Sequence, residues 1–380
     1  MPIDFRLKHP PFGYVLSVDK EGGEANVLFR EFTSSEDGQQ FIQRLEGLPT
    51  VVLQTMSISV RPSQVDHMLV IFHRDGTGVA YVNELSCRGR LRASRAIEVG
   101  EAITKNDVVD VEALELGVDI PKDAGFMYIF SWGWRKGLFY DFGPISGPSP
   151  QPREFNVATL LGQAYCHVLF QERFSLSDRD WAALFEARWF PFAGLKNQSI
   201  ERILNQIRNG CHPDDELEAL VSEVRKSAPQ MLGSWRGHTS FAPHIHILER
   251  AIERFLHSDF VSCTALLFPR IEGILRTHHT SLGVTNRPRP DNLTRTAVLS
   301  KLSNAACLLM PRRFEAFLRE VYFANFDPSS QDIDVSRHSV AHGVASATQF
   351  NQKSAMLGLL VVHQLFYFLE NKGDWEVTAD

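Results

Sequence analysis

The sequence predicts an α+β multidomain protein, with a β-rich N-terminal domain followed by an all-α C-terminal half. Three observations carry that prediction. Short apolar runs flank a hairpin turn signal, Arg74-Asp75-Gly76-Thr77-Gly78, in the first third of the chain. Residues 146–154 (SGPSPQPRE) hold three prolines, a glycine and two serines. Beyond them, apolar residues recur at helical spacing, as in Ile245, Leu248, Ile252, Phe255 and Leu256.

The elements follow in order. Runs 12–18 and 25–30 read as strands. Runs 67–72 and 79–85 flank the hairpin turn. Runs 125–134 and 137–142 read as a second strand pair, with Arg135-Lys136 near its turn. Helix is expected over 36–45 and around 105–116. The tract 146–154 can continue neither a helix nor a central strand, so it is read as a linker. It separates a sensing or regulatory domain, 1–145, from a helical middle region, 155–236. Helices are expected there at 156–170, 180–190, 199–209 and 214–226. Asp214-Asp215-Glu216 puts acidic residues at a helix start, where the dipole favours them. A break at 233–243 leads into a helical bundle, 237–380. Its helices are expected at 245–260, 262–280 with Pro269 inside, 293–309, 312–326 and 350–371, with a polar loop at 281–292. The last helix is apolar almost all round. It calls for burial inside a bundle, against a partner chain, or both.

Composition narrows the functional classes. A chain of 380 residues has room for two or three domains, and 44% apolar with 22% charged residues is ordinary for a soluble globular protein. The net charge of −6 excludes a globally basic nucleic-acid binder. Residues 1–240 carry 25 Lys+Arg against 31 Asp+Glu, while 241–380 carry 14 against 14 and eight of the 14 histidines. A neutral, histidine-rich segment suits transient contact with RNA; a tight static binder would be more basic. The five cysteines are scattered without CxxC spacing, so neither a zinc site nor a disulfide framework is expected. The N-terminus lacks the apolar core of a signal peptide, and 355–369 is interrupted by His363 and Gln364. A reducing cytoplasm is the expected location, with no membrane partner. No phosphate-binding loop, HExxH, GxSxG or dinucleotide fingerprint is present in the sequence. No cofactor and no metal are expected.

The chemistry-bearing stretch is Arg337-His338-Ser339-Val340-Ala341-His342-Gly343, just before the last apolar helix. Arginine holds a phosphate as a fork, and histidine moves a proton near neutral pH. Arg61 to His67 and Arg250 to His257 have comparable spacing, but Arg61 precedes Pro62 and the second pair lines one helix face. Only Arg337 combines a polar follower, a helical context and a glycine after the histidine. RNA cleavage by its own 2′-OH needs proton transfer and positive charge for the developing phosphorane, which His342 and Arg337 can supply. Residues five apart diverge by about 140° on an ideal helix, so the pair converges best where the motif begins a helix or turn. The bland alternative pairs Arg337 with Asp332 or Asp334 and makes His342 a packed core residue. His338 and His342 could instead ligate a metal, with His278-His279 approaching in space. His244-Ile245-His246 is read as a helix start.

Segment 240–372 resembles the HEPN superfamily, small helical bundles of prokaryotic toxins, phage-defence proteins and RNA-processing factors. The resemblance rests on Arg337-His338-xxx-His342, which fits the family's R-x4-6-H pattern beside its last core helix. It implies a metal-independent endoribonuclease acting as a homodimer, with two motifs meeting at one cleft. The run Leu266 to Arg276 resembles a helix preceding the motif in some members, and it sets Glu272 and Arg276 one turn apart. They form either a solvated pair or a partly buried one, in which Glu272 orients Arg337 or a histidine. No family is recognised for residues 1–145.

Two weaker candidates lie in that N-terminal part. Arg88, Arg90 and Arg92 would share one strand face and could contact RNA, or they form a solvated face. Trp132, Trp134, Phe139, Tyr140 and Phe142 could stack bases, or they form a hairpin core. The expected function is therefore a toxin-like or antiviral ribonuclease with RNA as substrate and a protein or phage-derived trigger acting on residues 1–145. The alternatives are a catalytically silent HEPN-like dimerisation protein, or a ligand-binding protein whose function lies in residues 1–145.

Overall fold

Side-chain alternation decides the architecture of the N-terminal half. In the computed structural model, which describes residues 2–18, 20–146, 150–283, 288–302, 307–330 and 333–369, a six-stranded antiparallel sheet is buried on both faces. Its strands are β1 (Ile3–Arg6), β4 (Arg30–Ser34), β5 (His67–Phe72), β6 (Thr77–Val82), β9 (Gly125–Trp132) and β10 (Arg135–Asp141), in the order β1-β6-β5-β9-β10-β4. β2 (Tyr14–Val18) pairs with β3 (Ala25–Leu28), and β7 (Cys87–Ala93) pairs with β8 (Val108–Leu116).

Met68, Val70, Phe72, Met127, Ile129, Leu138 and Tyr140 face one core, beneath α1 (Gln39–Glu46) and α2 (Leu48–Thr55). Leu69, Ile71, Phe126, Tyr128, Phe130 and Phe139 face the other. A sheet covered on both sides reads as continuous apolar runs, as β5 and β9 do. The β5–β6 turn closes where expected. Asp75 Oδ1 accepts from Thr77 N at 3.0 Å and Thr77 Oγ1 at 2.6 Å, and Gly76 takes φ +81°.

After α3 (Gly143–Ser146), α4 (Val157–Leu169) covers the second face, with Leu161, Ala164 and Val168 in its core. A Cβ on Gly162 would stand 2.6 Å from Ala113 Cα, so glycine lets α4 approach β8. The compact units therefore divide differently from the expected domains. One is Met1–Arg92 with Val111–Gln171, and the other is Ala93–Asp110 with Glu172–Asp380. The tract 146–154 is not the boundary; its residues 147–149 lie outside those described. Arg153 is anchored inside the first unit, donating to Asp141 at 2.7 Å and to the carbonyls of Pro121 and Ala124.

Where a helix is expected over 105–116, a short turn at Lys105–Asp107 leads into the strand β8. Val108, Val109 and Val111 are β-branched, and Asp107 ends a short turn by accepting from Thr104 N and Oγ1. Asp110 is fully buried, accepting from Leu308 N and Cys307 Sγ at 3.0 Å each, with Lys301 Nζ at 3.8 Å.

The second unit is helical. It comprises α5 (Gln171–Phe174) in the main, α6 (Asp178–Glu186), α7 (Asn197–Arg208), α8 (Leu217–Arg236), α9 (Ile245–Leu256), α10 (Phe260–Ser281), α11 (Pro290–Val298), α12 (Pro311–Phe317), α13 (Arg337–Ala341) and α14 (Gln352–Leu369). α8 and α10 run on through Pro229 and Pro269. The regions 155–236 and 237–380, expected as separate, share one core that runs from Leu176 to Leu369. α14 lies at its centre, buried from Ser354 through Leu365. The chain itself thus supplies the burial that the apolar helix requires; residues 370–371 of its expected extent lie outside those described. No helix among the described residues is long and apolar enough to cross a membrane.

Candidate active site

A serine pair and a glycine set the length of α13. Ser336 is its N-cap, with Oγ accepting from Ser339 N at 3.1 Å, while Ser339 Oγ accepts from Ser336 N at 2.8 Å. At the other end Gly343 takes φ +69°. Gly343 N donates to Val340 O at 3.1 Å and Val344 N to Ser339 O at 2.9 Å, the paired bonds of a Schellman stop. The helix therefore begins on Arg337 and closes on His342. The glycine noted in the sequence is the residue that ends it.

Arg337 is held from across the unit. Its Nε donates to Glu272 Oε2, and Arg276 Nη2 lies 2.6 Å from Glu272 Oε1. The Glu272 side chain is 7% exposed, against 28% for Arg337 and 41% for Arg276. One nearly buried carboxylate thus bridges two guanidiniums, the partly buried alternative for the Glu272–Arg276 pair. Glu272 N donates to Tyr322 Oη at 3.0 Å, and Tyr322 Oη donates to Phe268 O. Burial keeps the Tyr322 phenol protonated, well above its usual range, so it remains a donor. Of the two carboxylates considered as partners for Arg337, Asp334 does not pair with it. Asp334 sits 3.7 Å from Arg188 instead, and Asp332 lies outside the described residues.

The histidines differ in setting. His338 Nδ1 lies 3.4 Å from Arg337 Nη1. Burial first, then the charge of Arg337, lowers its pKa, with Glu272 opposing and His342 adding a small lowering. His342 is exposed, its ring 5.9 Å from that of Phe326, and so is not a packed core residue. Arg337, His338, His342, Glu272 and Arg276 thus form one cluster on α10 and α13. Its cationic groups offer phosphate-binding edges, and its imidazoles offer proton transfer.

Two features had no signal in the sequence. Arg188, at φ +57°, donates from Nη2 to Val335 O and so grips the segment entering α13. A cavity of about 410 Å³ beside Ser336 is lined by Glu186, Glu320, Asp327 and Asp334 with Arg188. Its carboxylates disfavour phosphate on that flank.

The remaining candidates lie elsewhere. Arg88, Arg90 and Arg92 are on β7, in the β-rich unit, with Arg90 Nε 3.9 Å from Glu112. Phe139, Tyr140 and Phe142 are core residues, while Trp132 and Trp134 are exposed. His244 stands at the start of α9 with its Nε2 3.0 Å from Thr277 Oγ1, and His279 Nδ1 is 3.1 Å from Thr296 Oγ1. Among the described residues, no three His, Cys, Asp or Glu side chains are arranged to hold a metal. No family model matches the chain, and neither a curated protein nor a solved structure matches it significantly.

Proposed function

We propose that the protein is an endoribonuclease of the HEPN type that cleaves RNA without a metal. The observation that carries this reading is the Glu272-tethered α13, which brings Arg337, His338 and His342 into one partly exposed cluster. Arg337 would steady the phosphorane through the guanidinium edge that Glu272 leaves free. His342 would transfer the proton to the 5′ leaving oxygen. His338, held neutral by burial and by Arg337, is suited to accept the proton of the 2′-OH. The carboxylates of the cavity beside Ser336 would repel an RNA backbone on that flank.

Two such sites meeting in a homodimer, a cytoplasmic setting and a trigger acting through the β-rich unit belong to the same reading. The test compares the full chain with His342→Ala and Arg337→Ala on single-stranded RNA in EDTA. Either variant is expected to lose at least about a hundredfold in cleavage rate, the scale of a lost acid–base group. Equal rates for wild type and His342→Ala would overturn the reading.

A further inference from the structure

α12 runs into a π-type turn, Leu318–Tyr322, which Phe323 N closes by donating to Leu318 O at 2.8 Å. Turns of this kind are frequent at functional sites. The segment that leaves it sets one phenyl ring near each histidine of the motif. Phe323 is buried, with its ring centroid 6.3 Å from that of His338. Phe326 is only half-buried, with its ring 5.9 Å from that of the exposed His342. Phe323 is therefore an anchor, whereas Phe326 keeps part of its ring open to a ligand. The Phe326 and His342 rings are inclined at 58°, so they do not stack on one another.

Phe326 also lines the cavity of about 410 Å³ beside Ser336, together with Ala324 and Asn325. That volume falls within the roughly 300–1,000 Å³ of small-molecule sites. Its charges do not cancel. Arg188 faces Asp334 at 3.7 Å, and Arg319 lies 3.9 Å from Glu320. Glu186 and Asp327 are exposed and make no ion pair among the described residues. Asp327 Oδ1 accepts from Ser329 N and Oγ, which leaves Oδ2 as an acceptor. Such a cavity disfavours phosphate but suits a ring that presents N–H donors.

The place of a base follows from the role given to His342, so this inference rests on the ribonuclease reading. A His342 that protonates the 5′ leaving oxygen has the sugar of the nucleotide 3′ of the cut beside it. The base of that nucleotide then lies within reach of Phe326. We propose that Phe326 is the specificity-determining residue for the base 3′ of the scissile phosphate, stacking it at the mouth of the cavity, where the carboxylates favour a base with an exocyclic amine. Adenine, cytosine and guanine carry that amine; uracil does not. An aromatic face accepts any base, so stacking supplies affinity, while carboxylates that accept from amino groups supply the choice.

A pool of single-stranded RNA of random sequence, digested by the full chain in EDTA and sequenced from the 5′ ends of the 3′ fragments, reports the base after each cut. Wild type should cut before at least one amine-bearing base about fivefold or more faster than before uracil. Phe326→Leu should lower the rate before the favoured base about tenfold and bring the four bases toward parity. Phe326→Tyr keeps the ring and should retain rate and preference. Glu186→Gln, at an exposed position, should narrow the preference without lowering the melting temperature. Equal cutting before all four bases by wild type overturns this inference and leaves the ribonuclease reading standing. So does the wild-type preference persisting in both Phe326→Leu and Glu186→Gln, or a Phe326→Leu loss of equal size before every base, which would mark packing alone. No cleavage of the pool by wild type overturns the ribonuclease reading and this inference with it.

Discussion

Replacing Glu272 by Gln removes one negative charge from between two guanidiniums without changing the side chain's shape. Its magnitude can be worked from the burial of the three groups. Breaking a buried ion pair costs about 3–5 kcal/mol, while an exposed pair contributes about 0.2–1 kcal/mol. Glu272 is nearly buried, Arg337 is 28% exposed and Arg276 is 41% exposed. Both guanidiniums can rehydrate in part, and the amide oxygen still accepts one hydrogen bond. The expected loss is about 2–3 kcal/mol, most of it through Arg337. Tryptophan fluorescence during urea unfolding reports mainly on the helical unit, where Trp181, Trp189 and Trp235 are buried, whereas Trp132 and Trp134 of the β-rich unit are exposed. A double-mutant cycle with Arg337→Met should give a coupling of about 1–2 kcal/mol. A Glu272→Gln variant within about 0.5 kcal/mol of wild type, or a coupling below about 0.5 kcal/mol, would refute the claim that Glu272 holds Arg337.

Gly343→Ala should cost about 1–2 kcal/mol, measured by the same unfolding assay; the cost is backbone strain alone, since nothing lies within 4 Å of the added Cβ. Arg188→Met leaves Val335 O without its donor and should cost about 1–2 kcal/mol, while a neutral result would mean that water replaces the guanidinium. His278 is pushed down to about 4, by burial first and then by His238 and His279. The unfolded state therefore binds its proton more readily, and the stability that neutral His278 allows is present above pH ~6.5 and lost as pH falls toward 4. Discounted for partial exposure, the loss is roughly 1–2 kcal/mol, and His278→Gln should flatten the stability profile between pH 7 and 5.

Strands and helices with a clean period were legible in the sequence. β5, β6, β9 and the helices α7, α9 and α14 lie close to their expected runs because apolar spacing there is set by one packed face or two. The segment 105–116 was misread because a Val-rich stretch with Asp and Glu interspersed supports either period, and packing decided for the strand. The proline tract was misread as a boundary because Pro and Gly mark chain direction, whereas the domain edge is set by what α4 and Arg153 pack against. A fragment beginning at 155 would accordingly strip the helical unit of 93–110, including the buried acceptor Asp110. At the site, Arg337, His338, His342, Glu272 and Arg276 were visible as residue types at local spacings. The Glu272–Arg337 contact, 65 positions apart, appeared only as one of several options. Arg188 gave no signal at all, since a side chain that binds a distant carbonyl leaves no local pattern.

The chemistry of the cut ends tests the central claim most directly. Full-length protein incubated with a defined single-stranded RNA in EDTA should yield 5′ fragments ending in 2′,3′-cyclic phosphate, resolved by mass spectrometry, and His342→Ala should yield none above background. Cleavage that disappears in EDTA and returns with a divalent cation would contradict the account, as would 3′-hydroxyl ends from wild type.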